Sequence, residues 1–135
     1  MTRTADLVFP LPFSQAFTYL VPDSLAERAR RGSRATAPLG KKRLTGFIVA
    51  VRSEAPAEGR ALKDILDVLD DEPAFTEHML GFTEALSRYY HASWGMLLQA
   101  ALPPSLVPRR KARVRITDAG REALTAGRLG PKEKA

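Results

Sequence analysis

The residues with the clearest binding chemistry lie in the segment PLPFSQAFTYLVP, at positions 10–22. Phe17 and Tyr19 alternate with Thr18, so an extended chain places the two rings on one side and the hydroxyl on the other. An aromatic ring can stack on any nucleic-acid base, and the prolines keep the segment at a sheet edge, where backbone polar groups stay accessible. The same alternation is typical of a strand that buries aromatic side chains in a core, so the residues alone leave both interpretations open.

Charges are segregated along the chain. The net charge is +6, and the isoelectric point is about 10.1. Eight arginines and lysines and no acidic residue lie between Arg28 and Arg52, whereas seven acidic residues and no arginine or lysine lie between Asp64 and Glu84. We expect the basic run to form a strongly positive face that attracts phosphate chains. A solvated polar surface without a ligand is the alternative.

The composition excludes several kinds of chemistry. The chain has no cysteine, which excludes disulfides, thiolate catalysis and zinc held by cysteine. His78 and His91 lie thirteen residues apart without a partner pattern, so we predict no metal site, and we expect the Asp70-Asp71 pair to be solvated. Neither a GxxxxGK[ST] phosphate loop nor a GxSxG nucleophile motif occurs in the sequence. We therefore predict a binding module with no cofactor and no enzymatic activity.

The hydrophobic pattern predicts a water-soluble domain. Hydrophobic residues make up 44% of the 135 residues, enough for a core, but no apolar run approaches the ~20 residues of a membrane span. The N-terminal residues MTRTADLVF lack the apolar stretch of a signal peptide. We expect a cytoplasmic protein that does not bind membranes.

Strands are predicted in the first half of the chain, from runs of β-branched and aromatic residues. They are placed at 6–9, 16–21, 33–37 and, most clearly, 44–53. Gly46 within the last of them indicates a bulge or a close approach of another backbone. Residues 62–73 are predicted to return to the sheet as an extended or mixed segment, although Lys63 could instead pair with Asp67 at helical spacing.

Helices are predicted in the second half. Helical spacing of apolar residues covers 76–91, with Thr76 as the N-cap, and a shorter helix covers 94–101, before Pro103. The fold class is therefore α+β, a small β-barrel-like subdomain followed by packed helices. The aromatic residues assigned to packing are Phe13, Phe47, Phe75, Phe82, Trp94 and at least one of Tyr89 and Tyr90.

Four segments, in order, resemble the N-terminal DNA-binding domain of primosomal protein N′ (PriA), the bacterial replication-restart helicase. They are PLPFSQAFTYLVP, APLGKKRLTGFIVAV, LKDILDVLDDEPAF and LSRYYHASWGMLLQAALPP, and the resemblance covers about residues 5–104. Residues 106–111 have the composition of a linker, and residues 112–135 resemble the start of the family's winged-helix domain. The predicted organisation is a DNA-binding domain at 1–105 (barrel-like at 5–73, helical at 74–103), a linker at 106–111 and a partial second domain at 112–135.

The resemblance implies a module that holds the 3′ end of the nascent leading strand at a stalled fork or D-loop. The family's pocket aromatics fall on Phe17 and Tyr19, its turn glycine on Gly40 and its lysine on Lys63, whereas Thr18 stands where the family commonly has aspartate. Basic residues after the glycine are placed to neutralise phosphates leading away from the end. The candidate DNA-binding residues are Phe17, Thr18, Tyr19, Gly40, Lys41, Lys42, Arg43 and Lys63.

The resemblance also implies partners and a location. These are forked or D-loop DNA, single-stranded DNA-binding protein and other primosome proteins, in the cytoplasm beside the nucleoid. The family's full-length members are ATP-dependent 3′–5′ helicases, and the sequence has none of their ATPase motifs. Two alternatives remain, namely a protein-interaction module that uses the acidic segment and the helices, and a single-strand-binding barrel that does not require an end.

Overall fold

The computed structural model describes residues 2–54, 61–107 and 115–127. Five strands come first, and three α-helices follow. The strands are β1 (Arg3–Val8), β2 (Phe17–Val21), β3 (Arg34–Leu39), β4 (Lys42–Arg52) and β5 (Asp67–Val68), with a short 3-10 helix (Asp23–Leu25) after β2. The helices are α1 (Glu77–Tyr90), α2 (Trp94–Ala101) and α3 (Asp118–Thr125).

The strands form one antiparallel sheet in the order β2-β1-β4-β3-β5. The sheet does not close into a barrel, but a parallel bridge between Leu20 and Asp64 brings the segment before β5 against β2. The next residues of that segment reach β3, near the opposite edge of the sheet. There Leu66 N donates to the Thr36 carbonyl oxygen at 2.8 Å. The α+β class is confirmed, and the barrel-like character is limited to this bridging segment.

The sheet separates two cores because neighbouring residues of β1 and β4 point to opposite faces. Leu7 and Ile48 belong to one core, whereas Val8 and Phe47 belong to the other. The second core is covered by the helices through Leu80 and Leu98, and the first is closed by residues of β2, β3 and the segment around β5. The β2 side of the first core is the region that positions the candidate site.

Both predicted helices are confirmed, with their expected starts. The Thr76 hydroxyl accepts a hydrogen bond from Met79 N at 3.3 Å, which caps α1. In α2, Gly95 lies so close to the Phe9 carbonyl that an added Cβ would overlap it. The indole N–H of Trp94 donates to the Thr83 hydroxyl at 3.0 Å, so Trp94 anchors α2 on α1, as its predicted packing role requires.

The prediction for Gly46 is confirmed as a close backbone approach. A Cβ at this position would lie 2.8 Å from the Val8 carbonyl oxygen and equally close to the Phe9 ring. Any larger residue would therefore push β4 away from β1. This contact fixes the start of β4 next to the end of β1.

Several aromatic residues that we assigned to packing are exposed, and those predictions are wrong. Phe13 and Phe82 are 46% and 57% exposed, and Tyr89 and Tyr90 are 77% and 69% exposed. The buried side of α1 instead carries Leu80 with two small polar residues, Thr83 and Ser87. Their hydroxyls can be buried because each donates to a carbonyl oxygen nearby, that of Ser87 to Ala92 at 2.6 Å.

The segment before β5 is extended, as predicted. The alternative of an ion pair between Lys63 and Asp67 at helical spacing is therefore wrong, because these residues do not lie in a helix. Towards the C-terminus, Thr117 caps α3 by accepting from Gly120 N at 3.2 Å. Most of the predicted linker lies outside the described residues, and the boundaries at 105, 111 and 112 remain predictions.

Candidate nucleic-acid interface

A cavity of about 310 Å³ opens between the start of β2, the end of β3 and the segment before β5. Five of the eight candidate residues predicted from the sequence line it together, although they come from three separate parts of the chain. These five are Phe17, Thr18, Tyr19, Gly40 and Lys63, and the other lining residues are Gln15, Ala16, Pro38, Leu39, Ala61 and Leu62.

Backbone hydrogen bonds hold the Lys63 side of the cavity in place. β2 is an edge strand, so its outer backbone groups would be unpaired without another segment. Leu20 N donates to the Lys63 carbonyl oxygen, and Ile65 N donates to the Leu20 carbonyl oxygen, both at 2.9 Å. The Lys63 side chain is exposed, which leaves its ammonium group accessible beside the cavity.

Tyr19 forms a fixed wall of the cavity. Its side chain is only 4% exposed, and its hydroxyl donates to the Pro38 carbonyl oxygen at 3.0 Å. Burial raises the pKa of the phenol above its ordinary value, because the phenolate would lose hydration. Since the ring lies in the core, it offers little free face for stacking on a base.

Phe17 is the aromatic residue of the cavity with an accessible ring. It is half-buried, and its ring centroid lies 6.1 Å from that of Phe9 and 6.2 Å from that of Phe13. Phe9 is fully buried, whereas Phe13 is exposed, so the three rings lead from the core to the surface. An aromatic side chain supported in this way keeps its orientation when a flat ligand packs against it.

Thr18 lies on the opposite side of β2 from the two rings and is exposed. Its hydroxyl donates to Asp6 Oδ1 at 2.7 Å, and the other carboxylate oxygen of Asp6 pairs with Arg52 at 2.9 Å. Asp6, which contacts Thr18, was not among the residues predicted for the site. The sequence predicted two short strands in this region, but it did not give their register, and the register places Asp6 opposite Thr18.

The β3–β4 hairpin carries the remaining candidates. Leu39 pairs with Lys42, so Gly40 and Lys41 form a two-residue loop, and Gly40 has a φ of +61°. Glycine at the first position is favoured in such loops because it adopts positive φ without strain. Lys41, Lys42 and Arg43 are exposed and follow Gly40 directly, but they do not line the cavity.

The expected positive face is narrower than the sequence predicted. Within the parts of the chain that the structure describes, no ion pair involves the hairpin cations Lys41, Lys42 and Arg43. The first half of the basic run is instead paired with the acidic run. These pairs are Arg28–Asp71 at 3.2 Å, Arg30–Glu72 at 3.5 Å, Arg31–Glu77 at 2.8 Å and Arg34–Asp70 at 2.6 Å.

The prediction that Asp70 is solvated is also wrong. Its side chain is 7% exposed, and that of Arg34 is 9% exposed. Asp70 accepts hydrogen bonds from Arg34 Nε, Nη2 and the Arg34 backbone N–H. Arg34 Nη1 also donates to the Leu106 carbonyl oxygen, so this buried pair connects β3 to the residues after α2. It is a structural contact outside the cavity.

Among residues 2–54, 61–107 and 115–127, no group of three or more histidine, aspartate or glutamate side chains is arranged to hold a metal ion. No helix within these ranges has the length and apolar character needed to cross a membrane.

Comparison with known proteins places the chain in a family. The sequence profile of the PriA 3′DNA-binding domain (3′BD) matches residues 6–103. The replication restart protein PriA of Bacillus subtilis strain 168 is 30% identical over 100 residues, which are 74% of this chain and 12% of that protein. The Haemophilus influenzae PriA protein is 32% identical over 134 residues, 95% of this chain and 18% of that protein.

A third relative shows the same pattern. The Treponema pallidum PriA protein is 32% identical over 107 residues, which are 76% of this chain and 16% of that protein. The chain thus spans less than a fifth of the length of these relatives. From the profile match over most of its length, the chain belongs to the family of PriA 3′ DNA-binding domains.

Proposed function

We propose that this domain binds DNA in replication restart and holds the 3′ end of a strand in the cavity at β2. One observation carries the proposal: Phe17, Gly40 and Lys63, which come from three separate parts of the chain, line one cavity beside an exposed basic hairpin. The description of the family as a 3′DNA-binding domain and the names of the relatives support the same role.

The cavity has the size and composition for the end of a nucleic-acid strand rather than for a long segment. Its volume of about 310 Å³ is at the lower end of the range for small-molecule sites. The terminal base would pack against Phe17, and Tyr19 would serve as the fixed wall behind it. Stacking on an aromatic side chain contributes about 1–3 kcal/mol and does not depend on base identity, so this contact would tolerate any terminal base.

The basic residues would bind the phosphates that lead away from the end. Lys63 is at the cavity, and Lys41, Lys42 and Arg43 follow Gly40 in the adjacent hairpin. Affinity falls as salt rises, and each phosphate neutralised on a single strand makes the slope of log affinity against log salt more negative by about 0.7. Affinity would therefore come from the hairpin, and selectivity for an end would come from the cavity.

The biological setting belongs to the same proposal. The end would be that of the nascent leading strand at a stalled fork or D-loop, in a cytoplasmic complex at the nucleoid that includes single-stranded DNA-binding protein and other primosome proteins. The domain would contribute binding rather than catalysis. The proposed DNA-binding unit is 1–105, with 106–111 as a linker and 112–135 as the start of a second domain.

Comparing a linear oligonucleotide with the circular form of the same sequence tests the proposal. Fluorescence anisotropy should show tighter binding of the linear DNA, and Phe17→Ala should reduce that difference. Phe82→Ala is a matched control, because Phe82 is an exposed phenylalanine on α1 that does not line the cavity. Equal binding of both forms would favour a single-strand-binding domain that does not require an end.

A protein-interaction role is the second candidate, and the surface of α1 favours it. Met79, Phe82, Tyr89 and Tyr90 are exposed on this helix, and exposed apolar clusters often mark protein contacts. If Phe82→Ala abolished binding to a primosome protein while Phe17→Ala left DNA binding unchanged, this role would be supported instead.

A further inference from the structure

Phe13 is an exposed aromatic residue next to the cavity. Its side chain is 46% exposed, and its ring centroid lies 6.2 Å from that of Phe17, which lines the cavity. Gln15 and Ala16, which lie between the two phenylalanines in the sequence, also line the cavity. The Phe13 ring therefore offers a flat apolar surface to a ligand that extends out of the cavity past Phe17.

Hydrogen bonds to the junction between α1 and α2 hold the backbone around Phe13. Ser93 Oγ donates to the Phe13 carbonyl oxygen at 3.3 Å. Ser14 Oγ donates to the Ala92 carbonyl oxygen at 3.3 Å and accepts from Trp94 N at 3.4 Å. Because this backbone is tied to the start of α2, a ligand that packs on the Phe13 ring has to order less of the chain than it would on a free loop.

The two rings are arranged for bases that are not stacked on each other. The planes of Phe13 and Phe17 differ by 74°, and their centroids are 6.2 Å apart. Successive bases of a stacked strand lie nearly parallel, at a spacing of about 3.4 Å. Two neighbouring bases held against these rings would therefore be turned away from each other, and each would pack on an aromatic side chain in place of its neighbour.

We propose that Phe13 forms a second nucleotide subsite, which holds the penultimate base of the strand whose terminal base packs against Phe17. This rests on the proposed function, since it requires a strand end in the cavity. Residues 9–22 contain no acidic residue, so this segment carries no negative charge that would repel the phosphate between the two nucleotides. Stacking on Phe13 would add affinity without selecting a particular base, because every base has a π-face.

The test pairs protein variants with abasic sites in one linear oligonucleotide. The DNA is intact, abasic at the penultimate position or abasic at the terminal position, and the proteins are the wild type, Phe13→Ala and Phe17→Ala. Loss of the penultimate base should weaken wild-type binding about five- to tenfold, at the lower end of the range for stacking on one side chain. The same loss should matter less than about twofold in Phe13→Ala, because the contact is already absent.

The terminal abasic site separates stacking from mere support of Phe17 by Phe13. If Phe13 stacks on the penultimate base, loss of the terminal base should still weaken binding in Phe13→Ala, and this effect should be lost only in Phe17→Ala. Phe13→Trp keeps a flat ring and should retain the effect of the penultimate base. Phe13→Leu is apolar but has no ring and should lose it. Phe82→Ala, an exposed phenylalanine on α1, is the matched control and should behave as the wild type.

Two results would overturn the inference. One is loss of the penultimate base having the same effect in the wild type and in Phe13→Ala. The other is Phe13→Ala weakening all three oligonucleotides by the same factor, which would make Phe13 a support for Phe17. If linear DNA still binds better than circular DNA, either result leaves end binding in place and removes only the second subsite. If linear and circular DNA bind equally, the proposed function itself fails.

Discussion

The phenolic hydroxyl of Tyr19 donates to the carbonyl oxygen of Pro38 at 3.0 Å, and this contact joins β2 to β3 across the cavity. Tyr19→Phe removes the hydrogen bond while keeping the buried ring. We expect the free energy of unfolding to fall by about 1 kcal/mol, the usual net contribution of such a bond. Urea denaturation at neutral pH measures this change, and an unchanged midpoint and slope would contradict it.

Because Tyr19 is buried, we expect the folded domain to lose stability at alkaline pH. Burial raises the pKa of Tyr19 above its ordinary value of 10.0 in the folded state. Above about pH 10 the unfolded chain therefore releases this proton more readily than the folded chain, and stability falls as the pH rises through the folded pKa. In Tyr19→Phe this component is absent, so the stability difference between wild type and variant should shrink above about pH 10. A difference that stays constant or grows would contradict the burial of the phenol.

The buried pair of Arg34 and Asp70 should dominate the stability of the region between β3 and α2. Asp70→Ala leaves the Arg34 guanidinium buried without its carboxylate, and breaking such a pair costs about 3–5 kcal/mol. Asp71→Ala is the matched control, because Asp71 is the neighbouring acid and its side chain is 95% exposed in a pair with Arg28. Its loss should cost at most about 1 kcal/mol. Similar costs for both variants in chemical denaturation would show that the Arg34–Asp70 pair is not specially buried.

The basic hairpin and the ion-paired arginines should respond differently to salt. Replacing Lys41, Lys42 and Arg43 together by glutamine should make the salt dependence shallower. The slope of log affinity against log salt should become less negative by about 2, because up to three phosphate contacts are lost. The selectivity for an end should stay the same.

A charge-matched control uses the arginines already paired with acidic residues. Arg28, Arg30 and Arg31 contact Asp71, Glu72 and Glu77, so replacing these three arginines by glutamine should change the salt slope much less. Binding titrations over a range of salt concentrations measure both slopes. Equal decreases in the two triple variants would mean that DNA binding uses the whole basic run.

Features set by neighbouring residues could be predicted from the sequence. The cap at Thr76 and the positive φ of Gly40 depend on a few adjacent positions. For the segment around Lys63 the sequence allowed both a helix and a strand, and the favoured prediction was an extended or mixed segment. The grouping of Phe17, Gly40 and Lys63 was expected only from the family resemblance.

Features set by long-range pairing could not be predicted. Asp70 is 36 residues from Arg34, and its burial depends on how β5 and its following loop meet β3. The contact between Asp6 and Thr18 depends on the register of β1 and β2, which the eight-residue connection between these strands does not determine.

The exposed aromatics of α1 show a third limit. The helical period indicated an apolar stripe, but the sequence could not show that Thr83 and Ser87 would face the core in place of Phe82. Small hydroxyl residues on that face allow α2 to approach, since their polar groups are satisfied by nearby carbonyls.

The most direct test of the central claim is the ratio of dissociation constants for two single-stranded oligonucleotides of identical sequence, one ending in a 3′-hydroxyl and one in a 3′-phosphate. Anisotropy titrations should be made at two salt concentrations. If the cavity holds a 3′ end, the hydroxyl form should bind more tightly, and the ratio of the two dissociation constants should change little with salt. In Phe17→Ala the preference for the hydroxyl form should be lost. Equal binding of both forms, with a steep salt slope and no effect of Phe17→Ala, would show that the domain binds phosphates through its basic surface and that the cavity does not recognise an end.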